Sequence, residues 1–444
     1  MVKKEEFIDA YLNHLSHFKT ERECVAGAVM AARSRGFRTL QEVKGSTGLI
    51  PGSKVYFTNK DKNFACFVLG ASENFNLLGA HIDSPRLDIK TKPLAEDSDI
   101  AYLDTQYYGG IKKYQWVTRP LAIHGKIFFK DLSFIDVVIG EDPNDPVFCI
   151  SDLLPHLDKK LADKKASDFI DGEKLDLIAA TKALDGEEKD AVRKNVIKIL
   201  SDKYGKTITE EDLISAELEV VPAGPARFCG LDKSLIAGYG QDDRVCAFTS
   251  LCAVLDTEGI PERTCGCVLI DKEEVGSICA TGSESRWLED VLFAIAARDN
   301  DHFSRLDFAN VLYETDMLSS DVTAAYDPKF GDVSNKEMSA KLNGGFMLSK
   351  YNGGRGKSGG ADANPEFIAK VRNILDTAGV KYQFDTMGKV DVGGGGTIAS
   401  IVCRMNINVM DAGVPVLNMH SPMEITAVDD VWDTYLGYRA FLKH

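Results

Sequence analysis

The segment CGCVLIDKEEVGS, from Cys265 to Ser277, is an alternating run of small and apolar residues that ends in Asp271, Lys272, Glu273 and Glu274 and breaks at Gly276. Such a run reads as a buried strand, and the acids after it stand at its carboxyl end. Delivering two adjacent carboxylates from a buried strand is costly, because uncompensated charge is poorly tolerated away from water. A cation belongs beside them. If that cation is a metal ion, one glutamate can bind it while its neighbour, projecting in another direction, handles a proton.

Working outward, the same strand-to-loop punctuation recurs. Two helices open the chain: Glu5 to Phe18, and a second that starts at Thr20, with Glu23 completing a capping box and Gly36 as its stop. Short apolar runs at Ser53 to Thr58, Asn63 to Leu69 and Phe75 to His81 then read as strands, the third ending in GAHIDSP. After Gly240 the pattern predicts a helix over Asp242 to Leu255 and strands over Cys265 to Ile270, Phe308 to Glu314 and Phe346 to Tyr351. A helix follows from Asn364-Pro365 to Gly379, then strands over Lys381 to Thr386, Thr397 to Arg404 and Val414 to Asn418, and a last helix from Val428. Strands alternating with helices imply an α/β fold, with a mixed, mostly parallel sheet covered by helices on both faces.

Between 92 and 233 the character differs. Strand-like runs at Ala122 to Phe129 and Phe134 to Ile139, the acidic loop EDPNDP and a lysine-rich stretch with a helix over Glu187 to Lys203 mark an inserted, mainly β domain. The expected organisation is a discontinuous domain of residues 1–91 and 234–444 interrupted by that insertion, which suits a chain of 444 residues, too long for one core.

The formal net charge of −15 argues against nucleic acid or an anionic membrane as a partner, since both require a basic footprint. No apolar run is long enough to span a bilayer, and the amphipathic start MVKKEEFIDAYLNHLSHF lacks the core of a signal peptide. Ten scattered cysteines without a C-x-x-C pair read as reduced core residues of a cytosolic protein.

Residues at strand ends carry the chemistry in such sheets. They are His81 and Asp83 in GAHIDSP, Asp242 in GYGQDDR, Glu273 and Glu274 in DKEEVGS, Asp321 in TDMLSSDV, and His420 in LNMHSPME. Each alone has a plain structural reading, as a capped strand end or an acid at a helix N-terminus. Together, two histidines and several carboxylates suit zinc, cobalt or manganese, whereas calcium or magnesium would favour oxygen alone. GGRGKSGG, Gly353 to Gly360, is no phosphate loop, because the first glycine the motif requires would fall at Tyr351.

In this order the motifs GAHIDSPRL, YGG at Tyr108 to Gly110, RPLAIHG around His124, QDDR, EEVGS, the SSD ending at Asp321, GGGGT around Thr397 and MHSPME resemble the aspartyl aminopeptidases over nearly the whole chain. The resemblance implies a zinc-exopeptidase-like catalytic domain and an inserted domain that serves dimerisation and acts as a lid. It implies one zinc held by His81 and Asp321, a second by Glu274 and His420, Asp242 bridging both, Asp83 orienting His81, and Glu273 as general base. It further implies that His124 completes a neighbouring subunit's site within a cytoplasmic homododecamer built from dimers. Peptides are the implied substrates, with acidic N-terminal residues favoured through a basic residue, Lys350, Arg355 or Lys357, and with Thr397 and Gly395 bordering the pocket. Neutral-residue aminopeptidases, carboxypeptidases and deacylases share a similar ligand order and remain alternatives, as does a scaffold that has kept only the fold.

Overall fold

The computed structural model describes residues 2–444. They form two units. One comprises the chain up to Ser84 together with Ala226–Met419 and Met423–His444; the other comprises Pro85–Pro225 with His420–Pro422.

The first unit is built on a nine-stranded sheet, alongside a smaller five-stranded one; the nine are β1 (Arg38–Thr39), β2 (Lys54–Asn59), β3 (Asn63–Val68), β4 (Phe75–His81), β5 (Thr264–Ile270), β6 (Asp316–Ser319), β7 (Phe346–Ser349), β8 (Tyr382–Asp385) and β9 (Asn408–Gly413). Their spatial order is β1-β2-β3-β5-β4-β6-β9-β7-β8. The central neighbours β5, β4, β6 and β9 run parallel, and antiparallel pairs at β2–β3, β3–β5 and β7–β9 make the sheet mixed. Strand residues alternate between two apolar layers. Cys265, Cys267 and Leu269 of β5 join Leu78, Ala80 and Met410 on one face, packed by the helices Lys4–His17, Glu21–Ser34, Gln241–Leu255, Pro365–Ala378 and Val428–Leu442. Val268, Ile270, Leu77 and Met317 face the other way, against Trp287–Ala297, Arg305–Tyr313 and Ala399–Val402. The capping box at Thr20 is formed as expected, Thr20 accepting from the Glu23 amide while Glu23 accepts from the Thr20 amide. All ten cysteines are free thiols.

Two expected strands are helical. Phe308 to Glu314 lies largely within the helix Arg305–Tyr313, because Phe308, Val311 and Leu312 recur at helical spacing behind a Ser304–Asp307 capping box. Thr397 to Arg404 gives the helix Ala399–Val402 and a 3₁₀ turn, with Ala399 and Val402 buried on one side. The strands that fill those sheet positions, β6 and β9, follow immediately after.

The second unit carries a six-stranded sheet in the order Phe134–Ile139, Leu121–Phe128, Ala216–Pro222, Arg86–Asp97, Ile100–Tyr108 and Leu177–Ala180, antiparallel throughout. Val192 and Val196 of the helix Ala191–Tyr204 pack on Ala101, and Gly205 ends the helix at a φ of 62°. Arg86, close to the start of the unit, pairs with Tyr108 in this sheet. Among the described residues no helix is long and apolar enough to cross a membrane.

Candidate metal centre

Register brings the expected side chains together. His81, at the end of β4, lies opposite Ile270 of β5, and Gly79 lies opposite Ser319 of β6. Three parallel strands therefore release the loops bearing His81-Ile82-Asp83, Glu273-Glu274 and Asp321 side by side at the carboxyl edge of the sheet. Asp242 and Asp243, joined by a cis peptide bond, enter at the start of the helix Gln241–Leu255.

The buried His81 ring is the hub. Its Nε2 lies 3.1 Å from Asp242 Oδ1 and 4.0 Å from both Glu273 Oε2 and Asp321 Oδ1. On its other side Nδ1 lies 2.9 Å from the carbonyl oxygen of Asp83 and 3.4 Å from the Asp83 carboxylate. Ligand atoms of His81, Asp242 and Glu274 converge within 4.8 Å of one another, and so do those of His81, Asp243 and Asp321. The carboxylate of Asp83 does further work: its two oxygens accept the backbone N–H groups of Glu273 and Glu274 at 3.1 and 3.2 Å, capping the turn that presents both acids.

This density of carboxylates strains the electrostatics. Burial, reinforced by Asp243 and Asp242, pushes the Asp321 carboxyl well above the usual range, and burial does the same to Asp243. Burial opposes a charge on His81, but hydrogen bonds to Asp242 and Asp83 outweigh it and raise its pKa well above that of a free imidazole. Both Asp243 oxygens are buried without a well-formed hydrogen bond, the Cys246 thiol and the His81 amide lying beside them. A cation would relieve the repulsion and occupy that acceptor, and one imidazole among carboxylates is a donor set suited to zinc.

The remaining expected residues have hydrogen-bond partners of their own. His420 groups with the second unit, its Nδ1 3.0 Å from the Gly110 carbonyl oxygen. His124, also in that unit, is buried on its strand with Nε2 3.1 Å from Glu141. Lys350 is half-exposed, and its Nζ shares the carboxylate of Asp362 with Lys357. Thr397 donates to Asp411, and the Gly395 carbonyl accepts from the Gly353 amide.

Several contributors were not foreseen. Asp243 was visible in QDDR, but two adjacent acids do not reveal that both face one centre. Glu424 accepts the Asp242 amide at 3.0 Å, and Ser84 donates to the Asp242 carbonyl at 2.7 Å. Gln241 ties the same loop to the carbonyls of Ile236 and Glu424. Glu424 closes the MHSPME motif, which was the only signal for it.

Comparison with known proteins bears on this geometry. Residues 14–442 match the family described as aminopeptidase I zinc metalloprotease (M18). A probable M18 family aminopeptidase 1 of Clostridium acetobutylicum is 50% identical over 442 residues, covering 98% of this chain and 94% of that protein. The crystal structure of an M18 aminopeptidase from Thermotoga maritima superposes with a TM-score of 0.95 at 45% identity, covering 99% of this chain and 96% of that one. The S. cerevisiae mApe1 dodecamer shares the fold at 21% identity, with a TM-score of 0.76 and coverage of 99% of this chain and 96% of that one.

Proposed function

The chain belongs to the M18 aminopeptidases, a zinc metalloprotease family, and from that premise we propose that it is a two-zinc enzyme that removes acidic N-terminal residues from peptides. The observation that carries the reading is the convergence of His81, Asp242, Asp243, Glu274 and Asp321 at one sheet edge. In this reading His81 and Asp321 hold one zinc, Glu274 and His420 the other, and Asp242 is shared. Hydrogen bonding supports both histidines as ligands: an Nδ1 proton given to the carbonyl of Asp83 or of Gly110 leaves Nε2 with the lone pair that a metal takes.

When bound, the zinc ions acidify water and polarise the scissile carbonyl. The protein supplies the rest. Asp83 clamps the amides of Glu273 and Glu274, so the two side chains leave the turn in fixed and different directions. Glu274 is a ligand, while Glu273 remains the general base. It takes a proton as water adds to the carbonyl carbon and passes it to the amine nitrogen as the C–N bond breaks.

The acidic preference is supported by the loop at Lys350, where two lysines already hold a carboxylate, that of Asp362. His124 is assigned to a neighbouring subunit's site, the 85–225 unit to dimerisation, and the assembly to a cytoplasmic homododecamer; the yeast neighbour's dodecamer supports the last of these.

The test is turnover of Asp-, Glu- and Leu-anilides by purified enzyme before and after chelation. Zinc-dependent turnover with Asp or Glu fastest is expected. Leu fastest would replace the acidic preference with a neutral one, and activity confined to N-acyl amino acids would overturn the aminopeptidase assignment.

A further inference from the structure

The two glycine clusters, Gly353 to Gly360 and Gly393 to Gly396, are left unexplained by the metal chemistry. In the structure they are one object. The Gly353 amide donates to the Gly395 carbonyl at 2.7 Å, and a side chain on Gly394 would collide with the Gly353 carbonyl oxygen and come within 2.7 Å of the Gly354 Cα. A side chain on Gly396 would lie 2.9 Å from the Gly359 carbonyl oxygen. Backbone packs directly on backbone, which is the physical reason for glycine on both sides.

Two polar side chains flank this contact, one from each segment, and both end on the same buried carboxylate. Thr397 donates to Asp411 Oδ1 at 2.6 Å and Asn352 donates to Oδ2 at 2.5 Å. The Asn352 amide group also lies 3.0 Å from the Thr397 hydroxyl, and its Oδ1 accepts the Ala361 amide at 2.6 Å. Asp411 is 5% exposed and makes these bonds from the interior of β9.

Its place in the sheet gives the arrangement a purpose. Asp411 stands in register with Ser319 of β6 on one side and Ser349 of β7 on the other. Two residues beyond Ser319 the chain reaches Asp321 of the metal-ligand cluster, and three residues beyond Ser349 it reaches Asn352. β9 is two strands from β4, about 10 Å from the strand that carries His81. The segments that Asp411 holds therefore lie beside the loop that carries Asp321.

We infer that Asp411 is a positioning residue for substrate selection, locking the two glycine-rich segments into one wall beside the metal-ligand loops that confronts the side chain of the substrate's N-terminal residue. The inference rests on the aminopeptidase reading but not on the acidic preference. Because the wall is main chain, its shape is set by how closely the two segments are held. Asp411 acts by accepting from both at once, and an amide in its place offers one acceptor and turns an NH₂ toward the other donor.

The test uses full-length, zinc-loaded protein and the variants Asp411→Asn, Thr397→Val and Thr397→Ser, with kcat and KM measured on Asp-, Glu-, Ala- and Leu-anilides alongside zinc content and melting temperature. Asp411→Asn and Thr397→Val are expected to change the ratio of kcat/KM between the best and worst of the four substrates by tenfold or more, mainly through KM. Thr397→Ser, which keeps the hydroxyl, is expected to restore the wild-type ratio. Substrate ratios within twofold of wild type in Thr397→Val would overturn the inference, whether activity is intact or falls equally on all four; the Thr397 pair decides even if Asp411→Asn does not fold. Wild-type enzyme inactive on all four anilides would instead overturn the aminopeptidase reading.

Discussion

Replacing Asp83 with Asn separates two roles that the residue could play. Were its carboxylate needed to orient His81, the variant would lose zinc. In the structure the His81 Nδ1 is closer to the Asp83 backbone carbonyl, at 2.9 Å against 3.4 Å for the carboxylate, and the carboxylate oxygens are engaged by the Glu273 and Glu274 amides. Asn keeps the carbonyl and one of the two amide bonds. A hydrogen bond to a charged acceptor is worth about 1.5–3 kcal/mol. If its loss is felt in the transition state through a misplaced Glu273, kcat falls by about tenfold to a hundredfold. Steady-state kinetics with parallel zinc analysis is the assay, and zinc content and KM should stay near wild type. Unchanged kcat, or loss of zinc with normal activity per bound zinc, would refute this division of labour.

Three further outcomes are expected. Glu273→Gln should reduce turnover by about 10²–10⁴-fold while retaining metal, and survival of activity would mean that another group is the base. Arg244, fully buried, donates to the carbonyls of Gly240, Leu15, Phe18 and Tyr239, tying the first helix to the Asp242 loop. Arg244→Met strands those acceptors and should cost about 3 kcal/mol or more, seen as a lower melting temperature; a melting point within a degree of wild type would contradict it. Asp430 caps the Asn343 and Gly345 amides, and burial pushes its carboxyl up to about 7. Its unfolded value is about 3.9, so the folded state binds the proton between those pH values, and the stability this contributes is lost as pH rises towards 7. The stability of Asp430→Asn relative to wild type, from urea unfolding, should therefore increase between pH 5 and 7.5, and a difference independent of pH would be inconsistent with that burial.

How much of this could be read from the chain depends on range. Local signals survived folding: the Thr20 capping box, the apolar run before Glu273, and the strand ending at His81 are decided by neighbours within a few residues. Where two periods compete over a short stretch, local reading failed. In FANVLYE the helical spacing of Phe308, Val311 and Leu312 also passes for a strand, and β6, only four residues long and opened by Asp316, leaves little pattern of its own. The candidate ligands could be picked out because each stands at a strand or helix end, a position with a chemical meaning. Asp243, Glu424, Ser84 and Asp411 were not, because their roles depend on partners brought close only by the sheet: Glu424 is 182 residues from the Asp242 amide it accepts.

The central claim is that His81, Asp242, Glu274 and Asp321, with His420, hold the zinc of this enzyme. Anomalous diffraction from crystals of the zinc-loaded protein, recorded on both sides of the zinc edge, tests it most directly. Two peaks are expected at this cluster, within bonding distance of His81 and Asp242; an active, zinc-loaded enzyme whose anomalous peaks lie away from these residues would contradict it.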